Sequence, residues 1–316
     1  MKLKDYVWPV IGLAAVVFSC WILYHEVREL SLDEILGSFK AIDRWQWMGS
    51  IAAALAAYAM LGLYDRLALK HLRRDVPFPF VAATSFTTYA LSHNIGASVF
   101  SGAVVRYRAY KSKGLSVGEV ALLIAFCSFT FGLGVILVAG VALAIQPEIL
   151  TRYFDVAPSI SYLVVAGIAL IVGLYVTGSL LGFKPLSIGR FHLEYPRRTV
   201  VWRQLLVAPA EIIFAAAIIY FALPPESNPG FVVVMAIFVI SFSLALVSHA
   251  PGGLGVLEVA FLTGLSDVPD TDVLAALLVF RILYLLVPFA VAIVIVLVFE
   301  QSAMWKQPTP KAKLPE

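Results

Sequence analysis

The sequence predicts an all-α polytopic membrane protein with about six full transmembrane helices. Two oppositely oriented re-entrant helical hairpins join them, in the manner of an inverted repeat. Three observations predict this. Of the 316 residues, 61% are hydrophobic and 14% are charged, against about 25% charged in a soluble domain. Several apolar runs approach or exceed the roughly 20 residues that carry a helix across a bilayer, and the short alternating strands of a membrane barrel are absent. The pair Ser-His occurs twice, in SHNIG at 92–96 and SHAPG at 248–252, each time inside an apolar stretch and beside glycine.

The elements follow in order. Residues 7–24 are the first span, after Lys2 and Lys4. They lack a clean small-residue cleavage site, so the segment reads as a retained helix rather than a signal peptide. The alanine-rich 47–64 is the second span. Residues 78–105 are apolar but interrupted at SHNIG. Residues 119–146 and 160–183 are spans, and 204–222 is a shorter one. Residues 231–264 are interrupted at SHAPGGLG, and 274–299 is the last span. The membrane domain thus covers 1–300. The Pro/Lys-rich tail 301–316 is expected to be disordered and cytoplasmic. Cys20 and Cys127 fall in apolar runs without other ligand types around them, so neither a disulfide framework nor a metal site is expected.

Charge assigns each linker a side. Most of the 23 lysines and arginines fall at the N-terminus, in 65–77, 106–118 and 184–203, and in the tail. The linkers 25–46, 147–159, 223–230 and 265–273 are acidic. The positive-inside rule makes the basic set cytoplasmic, together with both termini. Segment 78–105 then joins two cytoplasmic linkers. Its 28 residues fall short of the roughly 40 that two crossings need, so it turns back near His93–Gly96. Segment 231–264 joins two outer linkers and turns near Pro251–Gly255. It reads as re-entrant or as two short, tilted spans. Irregular backbone at membrane depth must be covered by protein or line a wet cavity, so both turns are expected to meet inside.

The polar residues within the apolar segments are the site candidates. His93 and His249 can donate, accept and carry charge, and helix ends at a hairpin tip offer an anion cradle. Each histidine also fits the plainer role of satisfying loose carbonyls of its own broken helix. Ser92 and Ser248 carry the same argument more weakly. Gly252, Gly253 and Gly255 suit a turn, Pro251 disfavours continuing the helix before it, and Gly96 and Gly102 suit the first turn. Glu211, Glu258 and Arg281 are expensive in hydrocarbon and should face the interior and pair. A Glu258–Arg281 pair is expected. Arg106 and Arg108, in VVRYRAY, can grip phosphate or simply anchor the interface. No nucleotide-binding loop and no H-E-x-x-H metal motif is present.

SHNIGASVFSGAVVRYRAYKSKGLS and the later SHAPGGLGVLEVAF resemble the flippase-like membrane domain of bacterial lysylphosphatidylglycerol synthases and their stand-alone relatives. The resemblance covers roughly 5–300. It maps a first motif onto Ser92, His93, Gly96, Gly102, Arg106 and Arg108. A second falls on Ser248, His249, Pro251, Gly252, Gly253, Gly255 and Glu258. It implies lipid movement across a bacterial inner membrane. The aminoacyltransferase domain of the fused enzymes is not expected in the few residues after Glu300, nor is their transfer activity. Membrane phospholipids are the expected partners, with a homo-oligomer or a lipid-modifying enzyme as further partners. No cofactor, metal or nucleic acid is expected. Two other readings stay open: a membrane enzyme acting on lipid headgroups, with histidine and glutamate as acid and base, and a scaffold without transport.

Overall fold

The computed structural model describes residues 32–95, 98–154, 156–157, 159–183, 186–188, 191–193, 195–248 and 251–305. The span expected at 7–24, most of the tail, and the candidates Gly96 and His249 lie outside them.

The described chain is helical: α1 (Leu32–Ala41), α2 (Arg44–His71), α3 (Phe78–Ile95), α4 (Ser98–Lys111), α5 (Val117–Ile145), α6 (Ser159–Leu181), α7 (Arg198–Ala222), α8 (Phe231–Ser248), α9 (Val256–Gly264), α10 (Asp270–Phe280) and α11 (Val287–Trp305). A π-helical turn, Arg281–Leu286, joins α10 to α11. Short 3₁₀ turns cover Pro147–Arg152 and Pro251–Gly253. The fold is all-α as expected, and the basic linker between α6 and α7 adds one small detail. It holds a two-stranded antiparallel ribbon, β1 (Leu186–Ile188) and β2 (Phe191–Leu193), with Ser187 opposite His192.

Local chemistry explains several boundaries. Asp43 caps α2 in a reciprocal box with Gln46, and Ser116 caps α5 in the same way with Glu119. These caps begin the helices two or three residues before the expected spans, at Arg44 and Val117, and α2 also runs on to His71. The expected shorter span 204–222 begins instead at Arg198 and has 25 residues. The last helix continues to Trp305, five residues into the expected disordered tail.

Among the described residues, six helices are long and apolar enough to cross a membrane: α2, α5, α6, α7, α8, and α10 through α11. The number matches the expectation, but the membership differs. Residues 7–24 are outside the description, and α8 joins the set. Its 18 residues span about 27 Å, while the nine residues of α9 reach only about 14 Å. Segment 231–264 is thus a long limb and a short one, packed against each other. Segment 78–105 is likewise a pair, α3 against α4.

Contacts gather the linkers by charge. Gln46 Nε2 donates to Leu223 O at 2.9 Å, and Ser227 Oγ donates to Asp272 Oδ2 at 3.2 Å. Arg152 donates to Gly264 O and to Asp267 Oδ2, each at 2.8 Å. These bonds join the four acidic linkers at one end of the bundle. At the other end Arg74 pairs with Glu119 at 2.6 Å, Arg66 lies over Phe78, and Lys113 lies over Phe80.

The core lies along α2 and α7, the most extensively packed helices. Gly134 of α5 permits a close approach here: a Cβ at this position would lie 2.4 Å from Ala208 O of α7. Helices packed without a hydrophobic drive between them rely on such small residues. At the periphery, Leu163, Leu170 and Leu174 of α6 are exposed, as expected of a lipid-facing helix.

Candidate functional site

The site is built around the π-helical turn 281–286. Val287 N–H donates to Ile282 O, five residues back. Pro288 has no N–H, so the carbonyl of Tyr284 loses its α-helical donor. The Tyr58 hydroxyl of α2 supplies one instead, at 2.9 Å. One residue on, Leu285 O accepts from Asn94 Nδ2 of α3 at 3.0 Å. The wider turn thus presents backbone acceptors to two other helices, and such turns often sit at functional positions.

The end of α3 and the turn before α9 meet here. Asn94 near the tip of α3 reaches Leu285 O. A Cβ on Gly252, in the turn of the second hairpin, would lie 3.8 Å from Leu285 Cδ1. The turn's shape follows from its glycines. Gly252, Gly253 and Gly255 have φ of 60°, 64° and 75°, a region that side chains with a Cβ rarely enter.

Arg281 and Glu258 form the expected ion pair. Arg281 Nε donates to Glu258 Oε1 at 2.6 Å, and Nη2 lies against the same oxygen. Arg281 Nη1 also donates to Gly252 O at 3.0 Å, while Glu258 Oε2 accepts from Gly255 N–H at 2.9 Å. One side chain on each helix therefore clamps the turn between them. The clamp satisfies backbone groups that the turn itself leaves unpaired.

Above the turn, the Tyr284 hydroxyl donates to Glu211 Oε1 of α7 at 2.5 Å. Glu211 is 2% exposed. The His93 ring stacks on Tyr284 at 5.2 Å and meets the Phe242 edge at 6.2 Å. Along α3, buried polar atoms of Thr87, Thr88, Ser92 and His93 have no partner among the described residues. In a dry interior that is unusual. Gly102 of α4 packs on the same stretch, where a Cβ would lie 2.5 Å from Ser92 Oγ.

Arg106 is placed differently from the interfacial phosphate grip read from the sequence. It is 5% exposed and bonds Asp65 of α2 through Nη2 at 2.7 Å and Nε at 3.2 Å. Tyr110 OH donates to the same carboxylate at 2.8 Å, and Arg106 lies 4.7 Å over the Tyr89 ring. Arg108 is exposed. Ser248 Oγ donates to Ala245 O, within its own helix. Contacts therefore bring His93, Glu211, Glu258, Arg281 and Gly252 around one turn, with Ser92 beside them on α3. Arg106 is one aromatic ring further along, because Tyr89 touches both Arg106 and His93.

Sequence reasoning missed Asp65, Asn94, Tyr58 and Tyr284. Asp65 had a signal. Leu61, Tyr64, Asp65, Ala68 and Leu69 recur at helical spacing, which puts the carboxylate on a buried face.

The comparisons with known proteins agree with this architecture. The chain is 30% identical to the uncharacterized protein slr0712 of Synechocystis, over 89% of this chain and 88% of that one. It is 24% identical to the inner membrane protein YbhN of Escherichia coli, over 87% of each. It is 28% identical to the phosphatidylglycerol lysyltransferase of Staphylococcus haemolyticus, over 89% of this chain but only 33% of the transferase. The chain thus spans about a third of that enzyme's length. Residues 10–292 match the transmembrane region of lysylphosphatidylglycerol synthases, and the chain belongs to that family.

Proposed function

We propose that the chain moves a phospholipid or a similar amphipathic lipid between the leaflets of a bacterial inner membrane. In this reading the α3–α4 and α8–α9 pairs are re-entrant hairpins, and the basic end faces the cytoplasm. The headgroup passes between the two tips while the acyl chains stay in the bilayer. Membership of the family supports a role in lipid handling.

The meeting of both hairpins at the turn 281–286 carries the proposal. Half-crossing helices that meet inside the bilayer are a recurrent basis for transport sites. The unpartnered atoms of Thr87, Thr88, Ser92 and His93 offer a polar surface beside this junction. Ser92, His93 and Ser248 line the path; His249, read beside them from the sequence, lies outside the described residues. Arg108 meets the headgroup at the basic end, and Arg106, held by Asp65, fixes α4 to α2. Glu258 and Arg281 hold the second hairpin against the path, and Glu211 sits behind Tyr284. Gly102, Pro251, Gly252, Gly253 and Gly255 let the hairpins turn and pack.

The test is transbilayer movement of labelled lipids in proteoliposomes, with a panel of headgroups and mass spectrometry of the recovered lipid. Wild type is compared with folded His93→Ala protein and with empty vesicles. Protein-dependent movement of unaltered lipid, slowed about tenfold or more by His93→Ala, is expected. Recovery of chemically altered lipid instead would make the protein an enzyme. No movement of any headgroup would overturn the reading.

A further inference from the structure

Glu211 has no counterpart in the ion pairs that hold the two hairpins. Arg106 is engaged by Asp65, and Arg281 by Glu258. Glu211 is in no ion pair among the described residues. Its Oε1 takes the Tyr284 hydroxyl, and its Oε2 is buried without a partner. The same carboxyl borders a cavity of about 10 Å³, near the lower limit for one water molecule. Phe131, Val135, Phe238, Phe242 and Ser243 also line it.

The neighbours on every packed element are accounted for. From α2, the Tyr58 and Tyr64 hydroxyls are engaged by Tyr284 O and Ala208 O. From α6, the Tyr175 hydroxyl is bound by Gln204, two turns before Glu211. Helix α5 brings Phe131 and Val135 to the cavity, while its Thr130 is held by Gln204 and its Cys127 by Asp65. Helix α8 brings Phe238, Val239, Phe242 and Ser243. Helix α10 carries only two ionisable residues, Asp270 and Asp272, both in its first turn at the acidic end. The π-helical turn brings Tyr284, beside which His93 of α3 is stacked. A full negative charge would therefore sit without a compensating cation in a dry site, where it is costly. A metal ion fits poorly, because hard cations need a shell of oxygens and the lining is phenyl and aliphatic with one hydroxyl.

The geometry points to Glu211 as a proton-exchange site that couples lipid movement to a transmembrane proton gradient. Water reaching Oε2 delivers a proton when the cavity opens toward one side. It removes the proton when the cavity opens toward the other. The Tyr284 hydroxyl on Oε1 links that event to the turn where both hairpins meet. No bond other than O–H forms or breaks.

The inference rests on the lipid-transport reading, and two measurements separate their fates. Infrared spectra of purified protein, followed through a pH titration, should show a protonated-carboxyl band that disappears in Glu211→Gln. A titrating band that persists unchanged in Glu211→Gln, or no band at any pH, would overturn the site whether or not lipid moves. In proteoliposomes, a proton gradient should speed wild-type lipid movement at least threefold, and that ratio should fall to one in folded Glu211→Gln protein. Wild-type movement indifferent to the proton gradient, or driven equally by a sodium gradient, would overturn the coupling and leave lipid transport standing. Absence of any movement, with the infrared band present, would sink the transport reading and the coupling together but keep the proton site.

Discussion

Arg106 grips Asp65 through two guanidinium nitrogens, at 2.7 and 3.2 Å, although the residues lie on different helices and 41 positions apart. Both are buried, and Tyr110 completes the carboxylate's shell. The pair fixes the second limb of the first hairpin to the most extensively packed part of the bundle.

Removing one partner leaves the other as an unpaired buried charge. Asp65→Asn or Arg106→Met alone should therefore destabilise the fold by about 3–5 kcal/mol, while Asp65→Leu with Arg106→Met should cost clearly less than either single change. Thermal unfolding in detergent measures this. If the double variant is as unstable as the singles, the pair is not the source of the loss.

The Tyr58 hydroxyl replaces a donor that Pro288 cannot provide. Tyr58→Phe should cost about 1–3 kcal/mol by leaving Tyr284 O unsatisfied. Adding Pro288→Ala should recover part of that loss, because an N–H returns at the fourth position along. Denaturation midpoints of the two singles and the double form the cycle. Strict additivity would contradict the compensation.

Gly134 and Gly132 lie two residues apart on α5 with opposite expectations. A Cβ at Gly134 would meet the Ala208 backbone at 2.4 Å, while one at Gly132 meets nothing within 4 Å. Gly134→Ala should lower stability by about 1–3 kcal/mol. Gly132→Ala should be neutral or slightly stabilising. Equal effects from the two would count against the close α5–α7 packing.

Gly252 sits at φ 60° inside the clamp made by Arg281 and Glu258. Gly252→Ala should cost about 1–2 kcal/mol from backbone strain alone and should slow lipid movement more than it lowers the melting point suggests. Gly118→Ala, where a Cβ meets open space, is the control. A Gly252→Ala protein with normal melting and normal transport would remove the turn from the mechanism.

Much of this arrangement is visible in the chain itself, for identifiable reasons. The linkers sort by charge, and hydrogen bonds join the four acidic ones to one another. Pro251 and three nearby glycines mark the second turn, and positive φ at Gly252, Gly253 and Gly255 is what that composition permits. Glu258 and Arg281 were legible as a pair because two opposite charges in apolar runs have few other solutions. Asp65 was not read as their equal, since Arg66, Lys70, Arg73 and Arg74 make the region look like a solvated helix end. The caps at Asp43 and Ser116 lengthen helices beyond their apolar runs, a local effect that hydropathy does not register. The π-helical turn was invisible because Pro288 alone signals only a helix disturbance, while the donor that completes it comes from Tyr58, far away in sequence.

The two hairpin ion pairs have opposite polarity. The first hairpin contributes the cation, Arg106, to a partner on α2, and the second contributes the anion, Glu258, to a partner beside α11. Each pair is neutral as a unit. One elementary charge crossing a membrane field of 100 mV exchanges about 2.3 kcal/mol with it. A hairpin that shifts together with its partner exchanges almost nothing. On the lipid-transport reading, membrane voltage would therefore be felt through the carried headgroup and the proton on Glu211, and the two ion pairs would add almost nothing.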